Sequence, residues 1–302
     1  MQCVITKESE RVKVENTNIE MSEKMRRRET MRGTALTLMG GVFWGLAGVF
    51  GKYSFEHKGM TAQWLVNVRL IIAGLILLTT VYMKQKKDTF RVWKNARHTI
   101  RMILYGVIGI ATCQMTYYMA VDDSNAGIAT VLQYTNPVMI ILYLAFSKKV
   151  RPKAKETLAV LLALGGIFLL STNGNLHTLV ITPKGLFMGL LCAVFTCFYS
   201  ILPGRLMEKY DEVVVCGWSM FIGGIALAIW KQPWGAGAGA DLEVWGLFAV
   251  LVFFGTVIPF ISSLKAIMLS GPMYANVLAS IEPVIASVLT FIFLGTTFGG
   301  FE

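Results

Sequence analysis

Long apolar stretches alternate with short polar ones along most of the chain. Each apolar stretch is near the roughly 20 residues that a helix needs to cross a bilayer. The pattern predicts an all-α polytopic membrane protein with nine transmembrane helices. The nine segments, numbered 1 to 9 in chain order, cover residues 34–54, 62–83, 100–121, 126–147, 155–172, 185–206, 212–230, 243–265 and 273–295.

The composition supports this class, since 55% of the residues are hydrophobic and only 15% are charged. Soluble domains carry about 25% charged residues. The basic residues indicate the orientation: 23 Lys and Arg lie on the side of the N-terminus and 4 on the other side. Because cytoplasmic loops carry such an excess, the N-terminus is predicted to be cytoplasmic. Topology alone explains the net charge of +10, so no nucleic-acid partner is predicted.

Residues 1–33 precede the first apolar segment and are polar with mixed charge. They lack the short apolar core and small-residue cleavage site of a signal peptide. Their composition predicts a disordered cytoplasmic tail. Met21, Met25 and Met31 leave open a start further downstream.

Two stretches of the chain are versions of one motif. Residues 131–138 read Val-Leu-Gln-Tyr-Thr-Asn-Pro-Val, and residues 277–284 read Val-Leu-Ala-Ser-Ile-Glu-Pro-Val. The offset of 146 residues relates segment 4 to segment 9, and segment 1 to segment 6. Since five helices is an odd number, the pattern predicts two inverted five-helix repeats, 34–172 and 184–302. The second lacks its last helix, which we interpret as a truncation.

The motif places Asn136 and Glu282 each before a proline inside an apolar segment. Such a proline frees the carbonyl four residues back, here that of Gln133 or Ala279, which then needs protein or water as a partner. Counted from Pro272, Glu282 lies about 15 Å into segment 9, near the bilayer centre. We therefore predict that Gln133, Asn136 and Glu282 face a polar cavity where segments 4 and 9 cross. The alternative is a protonated Glu282 that only joins two helices.

Segment 1 carries Trp44 about ten residues from its start, near the midplane, although Trp usually prefers the membrane interface. The sequence leaves open whether Trp44 packs in the core or forms the aromatic wall of a cavity. Around it, small residues that permit close helix contact are predicted to be packing positions. They are Gly40, Gly41, Gly45, Gly48 and Gly51.

Three polar residues of segments 2 and 3 complete the candidates. Arg69 lies about 10 Å from the outer end of its helix, where it could bind substrate, extend outward, or pair with Asp122 or Asp123. Gln114 could line a cavity. Tyr118, four residues further on, fits either that cavity or an interfacial belt of tyrosines.

No catalytic residue, metal site or cofactor is predicted. His57, His98 and His177 fall in predicted loops, and the five cysteines show no metal-ligand spacing, so we interpret the cysteines as small packing residues. The sequence has no phosphate-binding loop of the Gly-x-x-x-x-Gly-Lys-Ser/Thr type, so it encodes no nucleotide-driven motor of that kind.

Taken together, these residues resemble the EamA-type members of the drug/metabolite transporter superfamily. The resemblance rests on Gly41-Val-Phe-Trp-Gly45, Arg69, Asn136-Pro-Val138 and Glu282-Pro-Val284. It implies ten helices in two repeats, a central cavity, and export of small metabolites or amino acids. The chain differs from the family in its turns after segments 4 and 9, which lack the usual Leu-Gly-Glu-Arg-like sequence, and in its absent tenth helix.

The sequence therefore predicts a multi-pass secondary transporter of the bacterial inner (plasma) membrane rather than an enzyme. It would export a small-molecule substrate by alternating access, and proton coupling through Glu282 is a hypothesis. Its partners are that substrate and the lipid bilayer. The alternatives are a membrane-embedded enzyme that acts on lipid with Glu282 as acid or base, and a passive channel.

Overall fold

A computed structural model describes residues 2–136, 138–139, 158, 161–162, 165–166, 181–231, 242–271, 275, 278–279 and 281–294. Every regular element in these ranges is helical, without strands. The α-helices are α1 (Gln2–Lys58), α2 (Ala62–Gln85), α3 (Ala96–Leu104), α4 (Thr112–Asp123), α5 (Ala126–Gln133), α6 (Pro183–Ile201), α7 (Gly204–Met207), α8 (Glu212–Lys231), α9 (Leu242–Val252), α10 (Ile258–Ser270) and α11 (Ile281–Leu294). A 3-10 helix, Lys86–Lys94, joins α2 to α3.

Six helical stretches in these ranges are long and apolar enough to cross a membrane, which confirms the all-helical membrane class. They are Glu23–Lys58, Ala62–Lys84, Ala96–Asp123, Pro183–Met207, Glu212–Trp230 and Leu242–Ser270. They correspond to predicted segments 1, 2, 3, 6, 7 and 8. A shorter apolar helix, Ile281–Phe293, lies in segment 9, and α5 begins segment 4. Most of segment 5 lies outside the described residues, so nine spans remain a prediction.

The prediction of a disordered tail is wrong for the described chain, because α1 extends back to Gln2. The reason lies in the sequence itself. Residues 2–32 contain neither proline nor glycine and are rich in Glu, Lys, Arg and Met, which are among the better helix formers. A polar composition therefore gives a polar extension of the first helix.

Several helices begin at capping residues that accept hydrogen bonds from the first turn, among them α2, α5 and α6. Thr61 accepts a hydrogen bond from the backbone N–H of Trp64 at 3.2 Å. Asn125 accepts one from Ile128 at 2.9 Å. Thr182 accepts one from the third residue of α6 at 3.0 Å. Each cap satisfies a backbone donor that the helix itself leaves unpaired.

Segments 3 and 8 both depart from α-helical geometry in the middle. Residues Tyr105–Ala111 form a π-helix between α3 and α4, and Phe253–Val257 form another between α9 and α10. In each, a threonine hydroxyl donates to the carbonyl five residues back: Thr112 to Val107 at 2.8 Å, and Thr256 to Leu251 at 3.0 Å. The sequence analysis did not foresee these insertions, which are frequent at functional sites.

Helices α2 and α8 cross closely at glycines. A Cβ added at Gly74 would lie 2.6 Å from the backbone nitrogen of Phe221. On one side of this crossing Gly224 faces Ile71, and on the other Gly217 faces Leu78. Along α2 from Ile71 to Leu78, the contacted residue of α8 moves from Gly224 back to Gly217, so α2 and α8 run antiparallel.

The first helix packs against α11 through the predicted glycines. A Cβ at Gly41 would lie 2.8 Å from a methyl carbon of Ile281, and one at Gly45 would lie 2.9 Å from that of Ile285. Gly41 and Gly45 are therefore packing positions, as the sequence predicted. Both residue numbers rise together, so α1 and α11 run parallel and lie close along one wall of the bundle.

Candidate functional site

A small central cavity of about 60 Å³ lies where segments 1, 3, 4, 6, 8 and 9 meet. This volume has room for water molecules and is smaller than the usual small-molecule site. Six of the seven predicted site residues line it, and the seventh, Arg69, contacts two of them. The six are Trp44, Gln114, Tyr118, Gln133, Asn136 and Glu282.

Glu282 enters the cavity from the first turn of α11 and is only 4% exposed. The Tyr134 hydroxyl donates a hydrogen bond to its Oε2 at 3.1 Å. Among the described residues no basic side chain lies within 4.0 Å of this carboxyl group. The small side chains of Ala275 and Ala279 line the cavity beside it. The result is a carboxyl group that is buried on the cavity wall and has no basic side chain beside it among the described residues.

Gln133 and Asn136 lie where segment 4 leaves helical geometry. Helix α5 ends at Gln133, Tyr134 and Thr135 form a turn, and Asn136 is helical again. Position 137 is proline, which has no N–H to donate to residue 133. The turn directs Tyr134 toward Glu282, so the predicted break in the helix positions the hydrogen bond that the carboxyl group receives.

The side-chain amides of Gln133 and Asn136 differ in their hydrogen bonding. Gln133 Nε2 donates to the hydroxyl of Thr196 on α6 at 3.2 Å. Asn136 is 2% exposed, and its Oδ1 has no hydrogen-bond partner in the described part of the chain. Asn136 therefore presents an open acceptor.

Trp44 forms part of an aromatic wall of the cavity and also packs against the hydrophobic core. Its ring meets the ring of Phe260 edge to face at a centroid distance of 5.3 Å, and Phe260 in turn packs edge to face on Tyr199. All three residues line the cavity. The Trp44 Nε1–H is buried without a hydrogen-bond partner among the described residues, so this wall also offers an open donor.

Arg69 is fully buried and reaches inward, not outward. Its guanidinium donates to the Tyr118 hydroxyl at 2.8 Å and to Gln114 Oε1, and its central carbon lies 4.5 Å from the Tyr118 ring centroid. The predicted alternative, an ion pair of Arg69 with Asp122 or Asp123, is wrong for the described residues. Asp123 instead forms an ion pair with a lysine of α6 at 2.9 Å. Arg69 thus orients two residues of the cavity wall.

Tyr118 is 2% exposed, so its predicted alternative as an interfacial tyrosine is wrong. Its hydroxyl accepts from Arg69 and donates to the carbonyl of Ala47 at 3.3 Å. This hydroxyl joins α2, α4 and α1. Neighbouring Tyr117 also lines the cavity and shares a hydrogen bond with Thr130 of α5 at 3.1 Å.

The sequence analysis did not name several lining residues, most of them on segments 3, 6 and 8. The repeat offset contained the signal: Phe260 lies 146 residues after Gln114, and Ser263 lies 146 after Tyr117. Tyr199 also lines the cavity, and its hydroxyl donates to Ser263 at 3.1 Å. The remaining missed residues with polar side chains are Thr37, Cys113 and Thr196.

Comparison with known proteins gives the same class. Residues 31–172 and 183–302 match the model of the EamA-like transporter family. The chain is 36% identical over 273 residues to the uncharacterized inner membrane transporter YicL of Salmonella typhimurium, with 89% of each chain covered. It is 22% identical over 287 residues to the uncharacterized transporter YcbK of Bacillus subtilis, covering 92% of this chain and 90% of that one.

A crystal structure with 16% sequence identity superimposes with a TM-score of 0.60, covering 89% of this chain and 90% of the other. At this identity the superposition shows a shared fold. The family match covers most of the sequence, and its apolar helices agree with a multi-pass membrane protein. On these grounds the chain belongs to the EamA-like transporter family.

Proposed function

We propose that this protein is a secondary transporter of the bacterial inner membrane that exports small metabolites or amino acids by alternating access. Its N-terminus faces the cytoplasm, and Glu282 exchanges the coupling proton. One observation carries the proposal: a carboxyl group on the wall of the central cavity, 4% exposed and without a basic partner among the described residues. Such a group inside a membrane marks an ion or substrate pathway by default.

The crossing of α2 and α8 supports inverted repeats. Gly224 faces Ile71, and Gly217 faces Leu78. The repeat offset of 146 converts residue 71 into 217, and residue 78 into 224. The contact between residues 71 and 224 therefore maps onto the contact between residues 217 and 78 when one repeat is superimposed on the other. Because corresponding helices α2 and α8 run antiparallel, the repeats are related by an axis in the membrane plane, as in many secondary transporters.

The two π-helices support the same symmetry. Residues 107–111 of the first correspond, at the same offset, to residues 253–257 of the second. An insertion repeated at matching positions in both halves belongs to the architecture of the repeats, and it lies in the two segments that carry Gln114 and Phe260 to the cavity.

One end of the cavity is closed by tyrosines packed on α1. A Cβ at Gly48 would lie 2.6 Å from the Tyr117 hydroxyl, and one at Gly51 would lie 2.5 Å from the Tyr118 ring. In the predicted orientation this end faces outward. The lining continues in the other direction to Thr37, near the predicted cytoplasmic end of segment 1. We infer that Tyr117 and Tyr118 form the external gate, closed in this structure.

The test compares Glu282→Gln with wild type. A metabolite panel, screened by export from whole cells, first identifies a substrate of the wild-type protein. Reconstituted Glu282→Gln protein should then lose transport driven by a pH gradient while retaining substrate exchange without a gradient, because the amide keeps the shape but carries no exchangeable charge. Glu212→Gln is the control, since Glu212 pairs with Lys265 at 3.1 Å outside the cavity. Wild-type rates for Glu282→Gln across a pH gradient would contradict the coupling role.

A further inference from the structure

A second pocket, separate from the central cavity, lies where two connections between predicted membrane segments meet. Its volume is about 510 Å³. The lining combines three basic side chains with an amide, an imidazole and a phenol. These residues are Arg91, Lys94, Lys209, Asn95, His98 and Tyr210. Every one of these side chains can donate a hydrogen bond, so the pocket has the chemistry of an anion site.

The two halves of the chain build this pocket together. The first half supplies the 3-10 helix Lys86–Lys94 and the start of α3, and the second supplies the residues that follow α7. His98 Nδ1 and the Tyr210 hydroxyl lie 2.6 Å apart, and the two rings meet edge to face at 5.4 Å. A hydrogen bond across the pocket therefore already joins its two sides.

The basic side chains of the pocket have no acidic partner within the described residues. None of the ion pairs found there includes Arg91, Lys94 or Lys209, and all three residues are exposed. Carboxylates within three residues of them in sequence stay outside the lining: Asp88, Glu208, Asp211 and Glu212. A concave site lined by one sign of charge attracts ions of the opposite sign.

The surroundings of the pocket are those of a membrane surface. The exposed face of α3, which begins the third spanning stretch, carries Ile100, Ile103 and Leu104, which are 58%, 41% and 39% exposed. On the other side of the pocket, Phe90 of the 3-10 helix packs edge to face on Trp218 at 5.5 Å. Aromatic clusters of this kind are typical of the boundary between lipid and water, so acyl chains can reach the apolar side chains beside the pocket.

We propose that this pocket binds the phosphate headgroup of an anionic phospholipid. Arg91 can hold two phosphate oxygens with its planar guanidinium, and the two lysines add point charges. Basic pockets of this kind beside transmembrane helices bind acidic lipid headgroups. The exposed apolar residues of α3 give the acyl chains a surface, which favours a lipid over a free phosphate.

A bound headgroup would contact both connections and so hold the two halves of the chain together on this side of the membrane. The pocket contains none of the cavity residues, so the proposal goes beyond transport and does not depend on Glu282. Lipid binding is measured without any transport assay, which keeps its failure distinct from a failure of the proposed function.

The experiment measures lipid adducts of the detergent-purified full chain by native mass spectrometry. Phosphatidylglycerol is compared with phosphatidylcholine of the same acyl chains. Wild type should retain one phosphatidylglycerol in preference to phosphatidylcholine. Arg91→Gln, Lys94→Gln and Lys209→Gln should each weaken binding about fivefold, since a cation near a membrane surface contributes about 1 kcal/mol. The triple variant should lose roughly 100-fold.

The matched control removes three exposed basic residues outside the pocket, Arg28→Gln, Lys84→Gln and Arg205→Gln. It has the same net charge as the triple pocket variant and should bind as wild type does. An equal loss in the control would show general charge attraction and overturn the site, as would equal binding of phosphatidylcholine.

A competition separates lipid from free phosphate. Glycerol phosphate at the same concentration should leave the phosphatidylglycerol adduct in place, because it lacks the acyl chains that contact α3. Displacement of the lipid would assign the pocket to a soluble phosphate and contradict the proposal. Gel filtration checks folding, and if the triple variant does not fold, the single variants decide the result.

Discussion

The crossing of α2 and α8 predicts a graded response to one chemical change, glycine to alanine. At Gly74 the added methyl would lie 2.6 Å from the backbone nitrogen of Phe221 and 2.9 Å from its Cα. At Gly217 it would lie 3.1 Å from side-chain carbons of Leu77 and Leu78. At Gly246, on the exposed face of α9, nothing lies within 4 Å. The added methyl group would therefore overlap backbone at Gly74, crowd side chains at Gly217, and meet open space at Gly246.

The expected free energies follow from these distances. The backbone of Phe221 opposite Gly74 cannot rotate away, so the two helices must separate. Gly74→Ala should therefore destabilise the protein by the roughly 1–3 kcal/mol that overpacking costs. Leucine side chains can adjust, so Gly217→Ala should cost less. Gly246→Ala should stabilise by about 0.5–1 kcal/mol, because alanine is the better helix former.

The assay heats each detergent-purified variant and measures the fraction that stays monodisperse by gel filtration. For a chain near this size, 1 kcal/mol corresponds to a shift of about 2–4 °C in the midpoint. The midpoints should rank Gly246→Ala highest, then wild type, Gly217→Ala and Gly74→Ala. Equal midpoints for Gly74→Ala and Gly246→Ala would refute the close crossing, and the symmetry argument built on it would fail as well.

Three further predictions address the site and the topology. Arg69→Lys should lower stability by about 1.5–3 kcal/mol, measured by the same heating series, because a lysine cannot bridge the two acceptors that the guanidinium reaches. Unchanged stability would show that those two bonds contribute nothing. Tyr134→Phe should cost roughly 0.5–1.5 kcal/mol through the lost hydrogen bond to Glu282, and an equal midpoint to wild type would contradict that bond. A membrane-impermeant thiol reagent added outside should label Gly237→Cys and spare Lys149→Cys, and the reverse pattern would overturn the orientation.

The sequence was informative where a residue type alone is costly in a membrane. Glu282 and Asn136 were recognisable because a polar residue before a proline in an apolar segment needs protein or water around it. Both line the cavity. Trp44 was recognisable by its unusual depth. These arguments required only the pattern along one helix.

Contacts between helices were out of reach of the same reasoning. The partners of Arg69 are 45 and 49 residues away, and nothing in the spacing of a single helix indicates them. Cys113 and Cys192 are 79 residues apart, so each reads as a small packing residue in its own segment. The π-helices were missed because an extra residue in a turn leaves the apolar pattern almost unchanged.

The polar atoms of the cavity wall argue for a polar occupant. Trp44 offers a donor and Asn136 an acceptor, and neither has a partner within the described ranges. A buried polar atom left unpaired costs about 1–3 kcal/mol, so both atoms need water or a solute while the cavity is closed. Glu282 adds a carboxyl group held by a single hydrogen bond from Tyr134. An apolar molecule would leave the Trp44 donor and the Asn136 acceptor unpaired, whereas water or a polar solute would satisfy both of them against the aromatic wall.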